Sequence, residues 1–170
     1  MAGLTKAAQH ARTLVFAAWA VSGLALADSP AAPPALHRAV SPNGRFAVIS
    51  DPDKGTKLVD TASGATVCET PHWFRPVFVA DDGVSFAIWY SNLVPLNVDD
   101  SLEVLSIWRD CRKVKAVTFG SVVPDRSILR RTASHYAWSD AVGQDQSGHL
   151  VVTRIDGHIF RFNISNGEAE

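Results

Sequence analysis

Apolar residues recur along this chain in short runs divided by turn residues, and the runs alternate rather than following a helical stripe. Ser41-Pro42-Asn43-Gly44 leads into Arg45 to Ser50, and Asp51-Pro52-Asp53-Lys54-Gly55 turns the chain into Lys57 to Asp60. Ser63-Gly64 and a strand from Thr66 to Cys68 complete a predicted antiparallel meander. The order repeats from Asp81-Asp82-Gly83 through Ser85 to Tyr90, a longer loop to Asp100, and strands Leu102 to Trp108 and Lys113 to Phe119. A third, shorter round runs from Ser147-Gly148 through His149 to Ile155, Asp156-Gly157, and His158 to Ile164. Asp-Gly between two apolar strands is a strong hairpin signal. Pairing across it sets His158 opposite Ile155 and His149 opposite Ile164.

The pattern within the strands predicts how they pack. Phe46-Ala47-Val48-Ile49, Phe86-Ala87-Ile88-Trp89 and Leu150-Val151-Val152 are apolar on both faces, which fits sheets covered on both sides. Sheets stacked face to face, as in a propeller or a layered sandwich, satisfy that requirement. The fold class read from the chain is all-β, an antiparallel meander of about three units. One segment, residues 124–140, departs from strand patterning: Pro124-Asp125 is suited to open a helix through Leu129 and Arg131, and Ser134 to Asp140 a further turn or two. Arg126, Arg130 and Arg131 would line one side of that helix, as a solvated face flanked by Asp125 and Asp140.

The start of the chain changes the picture. Lys6, His10 and Arg12 precede an uncharged apolar run from Thr13 to Leu26, and Ala25-Leu26-Ala27 is a small-x-small cleavage pattern. The run is shorter than the roughly 20 apolar residues that span a bilayer, so residues 1–27 read as a signal peptide rather than a membrane anchor. Residues 28–38, with three prolines, read as an extended tail, and residues 39–170 as a single β domain. Losing residues 1–27 moves the net charge from −1 to −3, because that segment holds Lys6 and Arg12 and no acid. Such a balance does not point to nucleic acid. The expected location is periplasmic or secreted, with no membrane attachment after cleavage.

Export also bears on the two cysteines, Cys68 and Cys111. An oxidising compartment favours their pairing, and closing that loop is worth roughly 4 kcal/mol in the chain-entropy model. The competing reading, a reactive thiol, would need a depressed pKa, for which Arg109, Arg112 and Lys113 beside Cys111 are the available cause.

With these units in view a resemblance appears. SPNGRFAVISDPDKGTKLVDTASGATV looks like one blade of a β-propeller of the WD-repeat or YVTN type, and DDGVSFAIWYS with SLEVLSIWRDCRKVKAVTF, then QSGHLVVTRIDGHIFRFNISNGE, are similar. The mature chain also resembles small exported bacterial proteins of unknown function with this tripartite pattern and a short helical, Trp-containing insert. The motifs are those of turns, so the resemblance implies a fold and is silent on function. A closed ring needs at least about four blades, so three units imply an open or sandwich-like domain, or chains that associate to close a ring.

Motifs for chemistry are sparse. G-x-S-x-G, G-x-x-x-x-G-K-[ST], H-E-x-x-H and G-x-G-x-x-G do not occur, and His37, His72, His135, His149 and His158 lack the spacings that pre-arrange a metal site. Asp51-x-Asp53-x-Gly55 starts like a calcium loop but lacks the later acidic ligand, and Asp99-Asp100 is a second acidic knot; both read as solvated turns. His135 and Asp140 would suit a base and its orienter, without a nucleophile motif beside them. No cofactor and no metal is expected. Asn163-Ile164-Ser165 fits a glycosylation sequon, here read as chance. Trp73 and Trp138 lie in connecting segments, where binding groups concentrate. The expectation is a non-catalytic protein-binding module, of inhibitor or immunity-partner type, with Trp73, Trp89, Asp99, Asp100, His135 and Trp138 as candidate contacts. The alternatives are a glycan or peptidoglycan binder with aromatic stacking, and a hydrolase with an unrecognised site.

Overall fold

Asx turns and glycines set the hairpins from which the fold is built. The computed structural model describes residues 32–170; the signal-peptide reading of residues 1–27 lies outside them. In the first sheet β1 (His37–Val40), β2 (Phe46–Asp51), β3 (Gly55–Asp60) and β4 (Thr66–Thr70) pair in sequence order, all antiparallel. The Asp51 carboxylate accepts the Asp53 N–H at 2.9 Å. Gly55 follows at φ +83°, where an added Cβ would lie 2.3 Å from the Thr70 carbonyl oxygen. The acid-glycine string is thus a hairpin turn. The first strand begins at His37, within the expected tail, because its backbone completes the edge of β2.

The second sheet has the order β5-β6-β8-β9, from β5 (Val77–Val79), β6 (Ser85–Trp89), β8 (Glu103–Arg109) and β9 (Arg112–Thr118). Between β6 and β8 the chain leaves to form β7 (Leu93–Pro95). After β9 come a one-turn helix α1 (Phe119–Val122) and a single 3-10 turn, Arg126–Ile128, capped by the Asp125 side chain. Then follow β10 (Arg130–Arg131) and β11 (His135–Ala137), which join β7 in a small sheet of order β10-β11-β7. The third blade-like sheet is β12 (Ser139–Gln144), β13 (His149–Arg154) and β14 (Ile159–Asn163). An antiparallel bridge between Phe162 and Ala169 adds the beginning of a fourth row.

The fold is all-β, with blade-like sheets stacked face to face. Two differences from the sequence reading stand out locally. The helical expectation holds only for the 3-10 turn: within Ser134 to Asp140 the chain forms β11 and the start of β12, since β7 offers a pairing edge that a lone amphipathic turn would have to forgo. In the last hairpin, His149 pairs with Asn163 and Thr153 with Ile159, one residue away from the expected register. The loop has three residues rather than two, with Gly157 at φ +86° and hydrogen bonds Gly157 N–H to Arg154 O and Arg154 N–H to His158 O, both 2.8 Å. Arg154 clamps Asp156 through Nε and Nη2 at 2.9 and 2.7 Å, which holds that carboxyl well below the usual range.

Two apolar seams divide the core. Alternate residues of the central sheet serve opposite seams: Phe86, Ile88 and Trp108 meet Val48 and Leu58 of the first sheet, whereas Ala87, Trp89, Leu105 and Ile107 meet Leu150, Val152, Phe162 and Ile164 of the third. The two-faced pattern of Phe86 to Trp89 is therefore fulfilled. In the third sheet Leu150 and Val152 are buried while Val151 is half-buried, because among the described residues no further sheet covers that face. Cys68 on β4 and Cys111 in the β8–β9 turn form a disulfide with Cα atoms 5.7 Å apart, which ties the first sheet to the second. Asp110 and Cys111 both have positive φ, 49° and 57°, as a two-residue primed turn demands even without glycine. No helix among the described residues is long and apolar enough to cross a membrane.

Candidate functional site

Two of the sequence-selected aromatics meet, but in the core. Trp89 at the end of β6 and Trp138 between β11 and β12 have ring centroids 4.9 Å apart and are 2% and 1% exposed. Trp89 Nε1 donates to Asn92 Oδ1 and Trp138 Nε1 to the Ser91 carbonyl, each at 2.9 Å. With rings packed and N–H groups satisfied, neither is presented to a ligand. Their expected binding role is corrected to packing: the segment holding Trp138 is drawn under β7, which its sequence position in a connecting segment did not disclose.

Asp99 and Asp100 stay exposed, and their polar atoms are engaged locally. Asp99 Oδ1 accepts the Ser101 N–H at 2.8 Å, and hydrogen bonds from the Ser101 side chain and backbone lower its pKa. The Asp100 carboxylate pairs with the Arg126 guanidinium. Arg126 also donates to the Val98 carbonyl at 3.0 Å and lies over the Phe119 ring at 5.5 Å. This acidic knot is a braced loop. Arg126 belongs to that brace, whereas Arg130 reaches Asp140 at 3.4 Å, so the three arginines do not share a helical side.

His135 opens β11 opposite Pro95, with Nδ1 hydrogen-bonded to Ser134 Oγ at 2.9 Å and its backbone N–H donating to Thr132 Oγ1 at 3.1 Å. It sits in the small sheet with exposed Arg130 and Arg131, and the Leu96 to Asp100 loop continues from β7 of the same sheet. Leu96 is 37% exposed there. The patch is mixed: basic, acidic, one imidazole and one apolar side chain. It belongs to none of the blade-like sheets, being assembled from segments that interrupt the second and precede the third.

Trp73 lies elsewhere, in the connection from β4 to β5. Phe74 turns inward, packing on Trp108 with centroids 4.9 Å apart, and its N–H donates to Ser50 Oγ at 2.7 Å. Residues two apart in an extended segment share a face, so Trp73 and Arg75 emerge together, the guanidinium 5.6 Å from the ring centroid. Trp73 Nε1 donates to the Ala35 carbonyl at 3.0 Å and Arg75 Nη2 to the Ala32 carbonyl at 3.3 Å. Arg75 was not singled out from sequence; the alternation in His72-Trp73-Phe74-Arg75 was the available signal.

Among the described residues, no group of three or more His, Cys, Asp or Glu gathers in a metal-holding arrangement. No family model matches the chain, and no curated protein matches it. Solved structures do show similarity. One is U3-55K, at 13% identity and a TM-score of 0.42 over 80% of this chain and 38% of that one. Another is the WD40 repeats of RRP9, at 13% identity and 0.42 over 80% and 37%. A third is the dihydro-heme d1 dehydrogenase NirN in complex with DHE, at 21% identity and 0.42 over 79% and 26%. The chain spans well under half the length of each.

Proposed function

We propose that this chain is a periplasmic or secreted, non-catalytic β-repeat domain that binds a protein partner, in the manner of an inhibitor or immunity protein. The observation that carries this reading is the inserted sheet β10-β11-β7. Repeat folds bury their hydrophobic faces by stacking, and insertions between repeats collect where binding happens. This insertion uses two separate stretches of chain and carries Arg130, Arg131 and His135, with Leu96, Asp99 and Asp100 on the loop that continues from β7. Charged groups interspersed with exposed apolar area suit a polar protein surface. The blade order accords with the WD-repeat and YVTN-like resemblance, a class of scaffold that hosts unrelated functions. Glycan binding loses its best stacking platforms with Trp89 and Trp138 in the core.

The test is affinity capture of the tagged chain from periplasmic extract, with a triple variant, Arg130→Ala, Arg131→Ala and His135→Ala, beside it. One stoichiometric protein recovered by the parent and lost by the variant supports the reading. Sedimentation with purified peptidoglycan and no captured protein overturns it.

A further inference from the structure

The two donors on the β4–β5 connection do more than close a loop. They take carbonyls of Ala32 and Ala35, three positions apart, across the sequence Ala32-Pro33-Pro34-Ala35-Leu36. Proline locks its own φ and pushes the residue before it into extended backbone, so Ala32, Pro33 and Pro34 favour the polyproline II helix. That helix has about three residues per turn and no internal hydrogen bonds. Carbonyls three apart therefore face the same way with their lone pairs free, and Trp73 Nε1 and Arg75 Nη2 meet one such row. An aromatic ring with an N–H donor beside a second donor, facing a proline-rich stretch, is the recurring chemistry of proline-rich peptide recognition.

The segment is also lightly held. Ala32 to Leu36 are all exposed, Leu36 at 69%, so the contact buries little apolar surface. Strand pairing starts only at His37, which is paired with Ser50. Residues ahead of His37 can leave without breaking the ladder.

We propose that Trp73 and Arg75 form a receptor for proline-rich extended segments of a partner protein, covered in cis by the chain's own Ala32–Leu36. The proposal rests on the binding-module reading and names a partner chemistry for a second surface, away from the inserted sheet. An occupant in cis lowers the apparent affinity for a segment in trans by the fraction of receptors left open.

The probe is a fluorescent peptide with the sequence of residues 28–36, DSPAAPPAL, titrated by polarisation against the full exported chain. A double variant, Pro33→Gly with Pro34→Gly, loosens the strap without touching the receptor. The expected result is binding to that variant roughly tenfold tighter than to the parent chain. Binding is expected to disappear when Trp73→Phe or Arg75→Ala is added, and to be absent for a peptide with both central prolines replaced by glycine. Trp73→Phe keeps an aromatic six-membered ring but removes the donor together with the five-membered ring that carries it, and equal melting temperatures verify that each variant is folded. Binding that survives Trp73→Phe, equal affinity for parent and strap variant, or no binding to either overturns the proposal. So does a concentration-dependent dimer abolished by Trp73→Phe, which would assign the receptor to a second copy's tail. A failed peptide titration leaves the capture experiment on Arg130, Arg131 and His135 unaffected, so the two readings fail separately.

Discussion

The two seams of the core solve the same problem with different means. The seam between the second and third sheets gathers seventeen buried residues, among them Trp89, Trp138, Phe119 and Phe162, while the seam between the first and second gathers eight. The smaller one carries the disulfide and a chain of aromatic contacts: Phe74 on Trp108 at 4.9 Å and Phe86 stacked on Trp108 at 6.0 Å. Trp108 is anchored besides by its Nε1 donating to Ser106 Oγ at 2.9 Å. Apolar burial scales with the area removed from water, so the larger seam holds through its buried area and the satisfied Trp89 and Trp138 N–H groups without a cross-link. The smaller seam adds a cross-link that acts on the unfolded chain. A domain with little core between two layers gains most from such a link.

The largest expected break of this contrast is Trp138→Ala. It empties a fully buried site and should cost about 3–5 kcal/mol, read as a lower denaturant midpoint. Next is the paired change Cys68→Ser and Cys111→Ser, expected to cost about 2–4 kcal/mol. Hydrogen exchange sharpens the comparison: without the disulfide, residues 37–70 should lose protection first while residues 149–163 keep theirs. Uniform loss across both would show that the seams do not open separately. Gly55→Ala comes third, at more than about 1 kcal/mol, since the residue has positive φ and its backbone meets the Thr70 carbonyl; thermal melting measures it.

Acidification probes the first sheet more gently. Burial, and then the charge of Arg75, lower the pKa of His37 from its usual 6.5. Above that value both folded and unfolded chains hold the imidazole neutral. As pH falls below it the unfolded chain takes the proton first, so stability drops with acid until the lowered folded pKa is passed. The fall in melting temperature between about pH 7.5 and 5.5 should be smaller in His37→Gln. The smallest effect belongs to Trp73→Phe. It removes a hydrogen bond to an exposed strap and should change stability by less than about 0.5 kcal/mol, separating the strap from both seams.

Strand positions in the three blade-like units were readable because each was bounded by turn chemistry acting within a few residues. Phe46–Asp51, Ser85–Trp89 and His149–Arg154 agree with expectation to within a residue at either end. The strands that the pattern did not announce, β1, β5, β7, β10, β11 and β12, form because a neighbouring strand offers an edge. Of the candidate contacts, Asp99 and Asp100 stay exposed and Trp73 and His135 half-buried, while Trp89 and Trp138 are buried. An aromatic residue carries the same sequence signal whether it will be covered or not.

The sequence by itself determined the all-β class, the order of the blade-like units, the hairpins and the cysteine pair, since period-two patterning, turn residues and cysteine number act locally or by count. Tertiary structure decided which faces find partners, the small inserted sheet and the meeting of Trp73 and Arg75 with the proline-rich strap. Those outcomes depend on surfaces far apart in the chain, whose shape and proximity exist only once the sheets have stacked.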